Sequence, residues 1–126
     1  MFRIAAVISA LAIAGCATPD AATMQNATDL QLCQTFARSK LAYAGDWTAA
    51  TMIELERRNA LTAQEVQDIN HRRMRLGMSE HAAVCSWGPY ARVNRTVGPW
   101  GVDKQFVMEQ GAYVYTRDGR VRSFQN

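Results

Sequence analysis

Five side chains carry most of the covalent and metal chemistry open to this chain: Cys16, Cys33, Cys85, His71 and His81. His81 and Cys85 stand four apart, which on a helix puts an imidazole and a thiol on one face and could serve a metal or a thiolate nucleophile. No third ligand accompanies them. His71 lies among Arg72, Arg73 and Arg75, the company of a surface residue at a helix end, where cations complement the dipole. Glu54 and Glu56 are two apart, so on a helix they point to different sides. There is no phosphate loop and no metal-ligand cluster. A catalytic site needs a nucleophile, an acid or base and an orienting group converging in one pocket. The expectation is therefore no enzyme, no catalytic residue, no cofactor and no metal.

Cys16 reads differently. A short basic start ends at Arg3, an apolar run extends from Ile4 to Ala14, and Ile13-Ala14-Gly15-Cys16 has the form of a lipobox. In that motif an aliphatic and two small residues precede a cysteine that becomes acylated. The apolar run is too short to cross a bilayer, which takes roughly 20 residues. A secretory signal peptide over residues 1–15, cut before Cys16, is the expectation. Acyl chains on Cys16 would anchor the protein durably, at about 0.8 kcal/mol per buried CH₂. Residues 16–28 then form a lipidated tether, with Thr, Pro, Asp, Gln and Asn and without sustained apolar periodicity. Ala17 directly after the cysteine, in place of Asp, fits delivery to the outer membrane, with the domain on its periplasmic face; the inner membrane is the alternative. With Cys16 acylated, Cys33 and Cys85 are an even pair in an oxidising compartment, most simply a disulfide. A loop of that length restricts the unfolded chain by about 4 kcal/mol in the chain-entropy view.

Residues 29–126 are enough for one domain with a single modest core. The formal net charge is +3 for the 126-residue chain, but it is unevenly placed. Cys16 to Asn70 carries four basic and seven acidic residues, and His71 to Asn126 carries nine basic and four acidic. Such a cationic half is either solvated surface or a contact for anionic lipid or an acidic protein. Nucleic acid is not expected in this compartment.

Periodicity divides the domain into a helical part, 29–87, and a β-meander, 90–125. Leu30, Cys33, Ala37 and Leu41 recur at helical spacing from Asp29, and Gly45 is expected to end that helix. Asp46 can cap a second helix to about Asn59, with Trp47, Ala50, Met52, Ile53 and Leu55 as its apolar side. Thr62-Ala63-Gln64-Glu65 fits a capping box, and Val66 and Ile69 should face inward. Ser79 can cap a short helix through Ala82, Ala83, Val84 and Trp87 that Gly88-Pro89 must stop. Beyond Pro89 the period becomes two. Ala91, Val93 and Val97 alternate with Arg92, Asn94 and Thr96, and Val102, Phe106 and Met108 with Asp103, Gln105 and Val107. Asp118-Gly119 is a strong hairpin signal. Helices followed by strands predict an α+β class, the helices packed on one face of a three- or four-stranded antiparallel sheet.

From Leu76 to Gln125 the order of short motifs carries a likeness. They are Gly77-Met78-Ser79, Trp87-Gly88-Pro89, Val93-Asn94-Arg95-Thr96, Gln105-Phe106-Val107, Tyr113-Val114-Tyr115, Asp118-Gly119-Arg120-Val121 and Phe124-Gln125. In this order they resemble the BamE (SmpA/OmlA) type of small outer-membrane lipoprotein and its relatives with the β-lactamase-inhibitor-protein-like fold. The resemblance implies helices laid against an antiparallel meander and a noncatalytic role by protein contact, in outer-membrane assembly or envelope integrity, with β-barrel assembly components as candidate partners.

Tyr113, Tyr115, Arg120 and Arg122 are candidates for a partner surface, since aromatics and arginine dominate interface hot spots. They could equally pack in the sheet, because the pattern does not assign its faces. A second function is inhibition of a hydrolase through the loop Val97-Gly98-Pro99-Trp100-Gly101, with Trp100 at its tip; the same indole could instead fold back onto the core.

Overall fold

The computed structural model describes residues 18–126; the expected signal peptide over 1–15 and Cys16 lie outside them. Five helices precede four strands: α1 (Ala21–Asn26), α2 (Asp29–Leu41), α3 (Gly45–Arg57), α4 (Ala63–Asn70), α5 (Glu80–Trp87), β1 (Tyr90–Gly98), β2 (Gly101–Met108), β3 (Tyr113–Arg117) and β4 (Arg120–Gln125). The class is α+β, and the strands form one antiparallel meander in the order β1-β2-β3-β4.

Side-chain oxygens set most helix starts. Thr28 and Gln31 make a capping box on α2, Thr62 and Glu65 another on α4, and Ser79 accepts from the Ala82 N–H to open α5. Asp46 does not cap α3. That helix begins one residue earlier, at Gly45, with Ala44 at the cap position and no side-chain bond. Gly45 thus opens α3 instead of ending α2. The reversal belongs to Tyr43, at φ 54°, while the Ala44 N–H reaches back to Ser39 O at 2.9 Å. The same six-to-one closure ends α3 through Asn59 and α4 through Arg72, both at φ 53°. Glycine is the usual residue for this left-handed position, so sequence inspection passes over Tyr43 and Arg72.

Part of the segment read as tether is helical. Asp20 caps α1, and Met24 is buried in the core. Six residues with one apolar anchor are too few for a periodic signal; the helix is held by α3. Arg58 donates to the carbonyls of Met24 (2.6 Å), Gln25 (3.1 Å) and Ala27 (2.6 Å), and to Glu54 at 2.8 Å.

The core lies between the helices and one sheet face. Leu32, Phe36, Leu55, Ile69 and Val84 meet Phe106, Met108, Val114 and Val121. At its centre Cys33 of α2 and Cys85 of α5 form the disulfide, both buried, with Cα atoms 4.6 Å apart. Gln34 adds a two-way bond to the start of β1, donating to Tyr90 O (2.8 Å) and accepting from Tyr90 N (3.1 Å). Leu41 leaves the buried face that its spacing suggested and is 63% exposed, because α5 stops at Gly88-Pro89 and the last turn of α2 runs past it. Ile53 is exposed too.

Val93, Phe106, Val114 and Phe124 stand in register across the four strands, on the helix side. The β3–β4 turn is as expected, Asp118 and Gly119 both having positive φ. Alternation fails at two points of β1. Ala91 is the extra residue of a bulge between Tyr90 and Arg92, and Val97 is exposed where the β1–β2 hairpin extends beyond the helices. The β4 edge is covered by the strap before α5: Gly77 N–H donates to Val121 O at 2.7 Å and Val121 N–H to Met78 O at 2.9 Å. Among the described residues nothing covers the β1 edge, which exposed Arg92, Asn94 and Arg95 line, polar side chains that discourage strand addition.

Two carboxylates join Ile69, buried in the core as expected, in fastening α4. Val66 is only half-buried, whereas Glu65 and Asp68 are buried. Asp68 receives both Arg75 bonds (3.0 and 2.9 Å) and a third from Gln64. The Arg75 bonds hold its carboxyl below the usual range against the opposing effect of burial. Burial pushes Glu65 up, but N–H donors from Thr62 and Ser79 and the Ser79 hydroxyl outweigh it.

Two outcomes follow. Urea unfolding of a Cys33→Ala/Cys85→Ala variant should give a stability about 2–5 kcal/mol below the oxidised parent. Bonds from Arg57 and then Arg58 lower Glu54 from 4.5 to about 2. A carboxyl lowered in the folded state contributes fully above its unfolded value, and loses that contribution as pH falls from there through about 2. Acid titrations of thermal stability should show this limb flattened in Glu54→Gln; an unchanged limb would contradict the assignment.

Candidate functional site

The helices cover one face of the sheet, so side chains of opposite parity on the strands meet solvent. On that helix-free face Asn94, Gln105, Tyr115 and Ser123 form one cross-strand row, and Thr96, Asp103 and Arg117 another. The first row is hydrogen-bonded laterally: Asn94 Nδ2 donates to Gln105 Oε1 at 2.9 Å, and Gln105 Nε2 to the Tyr115 hydroxyl at 3.3 Å. In the second, Arg117 grips Asp103 with two bonds, 2.8 and 3.0 Å. Arg122, carried onto this face by a bulge in β4, approaches the same carboxylate at 3.6 Å. The Arg117 bond is the main cause that lowers the Asp103 carboxyl; burial opposes it, and the charges of Arg117 and Arg122 reinforce it. Between the rows lies a shallow hollow of about 430 Å³ lined by Asn94, Asp103, Gln105, Tyr115, Arg122 and Ser123.

Trp100 sits at the tip of the β1–β2 hairpin but does not project from it. Its indole lies over Gly98, where an added Cβ would clash with the ring carbons Cη2, Cζ2 and Cζ3, and the Arg117 guanidinium is 6.0 Å from the ring centroid. It remains 49% exposed. Of the other hairpin's residues, Asp118 turns back to accept the Val102 N–H at 2.9 Å, tying the two hairpin ends together.

The structure therefore brings Trp100, Tyr113, Tyr115 and Arg122 onto one face. Arg120 leaves it: its guanidinium reaches round the β4 edge to Gly77 O at 3.4 Å. Asp103, Arg117, Asn94 and Gln105 are the members that sequence reasoning missed. Alternation places each on a strand, but their partnerships exist only in the final β1–β2–β3 register.

The remaining candidates separate. Cys85 is spent in the disulfide, which overturns the option of a His81–Cys85 metal or thiolate site; His81 Nε2 is instead 2.7 Å from Ala60 O. His71 caps the end of α4, exposed, with Nδ1 2.8 Å from Gln67 O. Among the described residues no group of three His, Cys, Asp or Glu side chains could hold a metal ion, and no helix is long and apolar enough to cross a membrane. Cys16 lies outside the described residues.

No protein-family model, curated protein or solved structure matches this chain.

Gly98→Ala tests the seat of Trp100. The added methyl must displace the indole, so tryptophan emission should shift to longer wavelength and thermal stability should fall slightly, while Gly98→Ala/Trp100→Ala should restore the stability but not the emission. Unaltered emission in the single variant would contradict the geometry.

Proposed function

We propose that the protein is a lipoprotein, cut before Cys16 and anchored at the periplasmic face of the outer membrane, that works without catalysis by docking its helix-free sheet face onto another envelope protein. The observation that carries this reading is the placement of Trp100, Tyr113, Tyr115 and Arg122 on the face that no described element covers. Aromatic side chains and arginine are the residue types that dominate hot spots, and the hollow between them gives a partner side chain a place to enter. The Asp103–Arg117 pair holds the patch rigid, which lowers the ordering cost of association. Resemblance to the BamE type makes β-barrel assembly components the leading partner class. The Val97–Gly101 loop has less reach for hydrolase inhibition, since its indole is bedded on its own strand.

Crosslinking in intact cells, with tagged parent protein beside Cys16→Ser and Tyr115→Ala/Arg122→Ala, tests the reading. Mass spectrometry should recover an envelope protein with the parent, and far less with either variant. The surface variant should lose about tenfold or more in affinity with its melting temperature retained. Recovery of one soluble hydrolase would replace assembly by inhibition, and Cys16→Ser protein that stays membrane-bound would remove the anchor.

A further inference from the structure

A second surface lies away from the helix-free face, where α2 and α4 end and α5 gives way to β1. Two adjoining hollows, of about 320 and 590 Å³, make a groove stepped at Lys40 and Tyr43, which line both. Phe36, Met52, Trp87 and Pro89 make its apolar lining. Its rim is cationic. Lys40 stands over the Phe36 ring at 5.3 Å and Arg72 borders the hollow beside Trp87. Among the described residues neither has a carboxylate within ion-pair distance, and the acid in the groove wall, Glu109, is taken by Arg38 at 2.7 Å.

The residues at the two lips are unexpected for their backbone. Tyr43 and Arg72 occupy the left-handed closing positions of α2 and α4, which glycine adopts with least strain. Tyr43 is 96% exposed and Leu41 beside it 63%. The exposed side chains of Tyr43 and Arg72 contribute little to the packing of this fold, yet both line the hollow that Trp87 and Pro89 also line.

We infer that this groove is a docking site for an acidic, amphipathic segment of a partner protein, its apolar side chains entering between Tyr43 and Trp87 and its carboxylates pairing with Lys40 and Arg72. Charge complementarity selects the acidic partner, and concave shape favours a segment that fills the groove over a lipid surface, which a convex apolar tip would penetrate better. The inference does not rest on docking by the sheet face.

The glycine closures make the test clean, because Tyr43→Gly and Arg72→Gly remove the proposed contacts while relieving the backbone. Both variants should melt no lower than the parent. The probes are three labelled peptides of equal length: one with leucine and tryptophan anchors and glutamates at helical spacing, one with lysine for glutamate, and one with alanine for the anchors. Phosphatidylglycerol vesicles are the fourth probe. With the full chain in uncharged detergent, fluorescence anisotropy should show the acidic anchored peptide binding at least about tenfold tighter than either control. That binding should weaken with salt and fall about tenfold in each glycine variant. Equal binding of the lysine peptide, or unchanged binding by the glycine variants, would overturn the inference. Vesicle binding without peptide binding would reassign the groove to the membrane surface.

Discussion

The junction of α2 with α5 is the constraint on which the other contacts depend. Cys33 and Cys85 are both buried and covalently joined, and α5 is the helix that lies between the rest of the helical layer and the sheet. From this point α2 reaches the sheet through Gln34 and Tyr90, and α5 reaches it through Glu80, which accepts from Lys104 and from Thr116. A domain of this size has a small core and gains proportionately from a crosslink that limits the unfolded chain. With α2 and α5 held together, α5 packs against β4 on one face of the sheet.

The polar contacts inside the helical layer complement that junction. Glu54, Glu65 and Asp68 are buried carboxylates, and each is met by several donors. Leaving one such group unpaired would cost far more than the pair contributes, so these contacts favour one arrangement of α1, α3, α4 and the strap before α5. Arg58 is the widest of them, since one guanidinium serves Glu54, Asp29 and the carbonyl end of α1. Helix α1 is thereby held at a defined place on the domain.

Function in this reading comes from the surfaces left over. The helix-free sheet face carries a rigid polar and aromatic pattern, with the Asp103–Arg117 pair beneath Trp100. The groove at the ends of α2 and α4 is instead apolar with a cationic rim. The two proposed surfaces differ in chemistry and in place.

Much of the architecture was legible because it rests on local rules. Capping residues Thr62 and Ser79, the stop at Gly88-Pro89, the change of period at Pro89 and the Asp118-Gly119 turn each act within a few residues. The Cys33–Cys85 pairing was legible for another reason: with Cys16 set aside, two cysteines allow one bridge. What stayed hidden depends on residues distant in the chain. The α1 helix exists because Arg58 and the core accept it, Leu41 is exposed because α5 ends early, and Tyr43 and Arg72 take a backbone state set by closure of their helices. The sequence by itself determined the α+β order, the Asp118-Gly119 turn and the disulfide. Only tertiary structure decided the functional surfaces, because strand register and helix packing choose which side of each residue meets solvent.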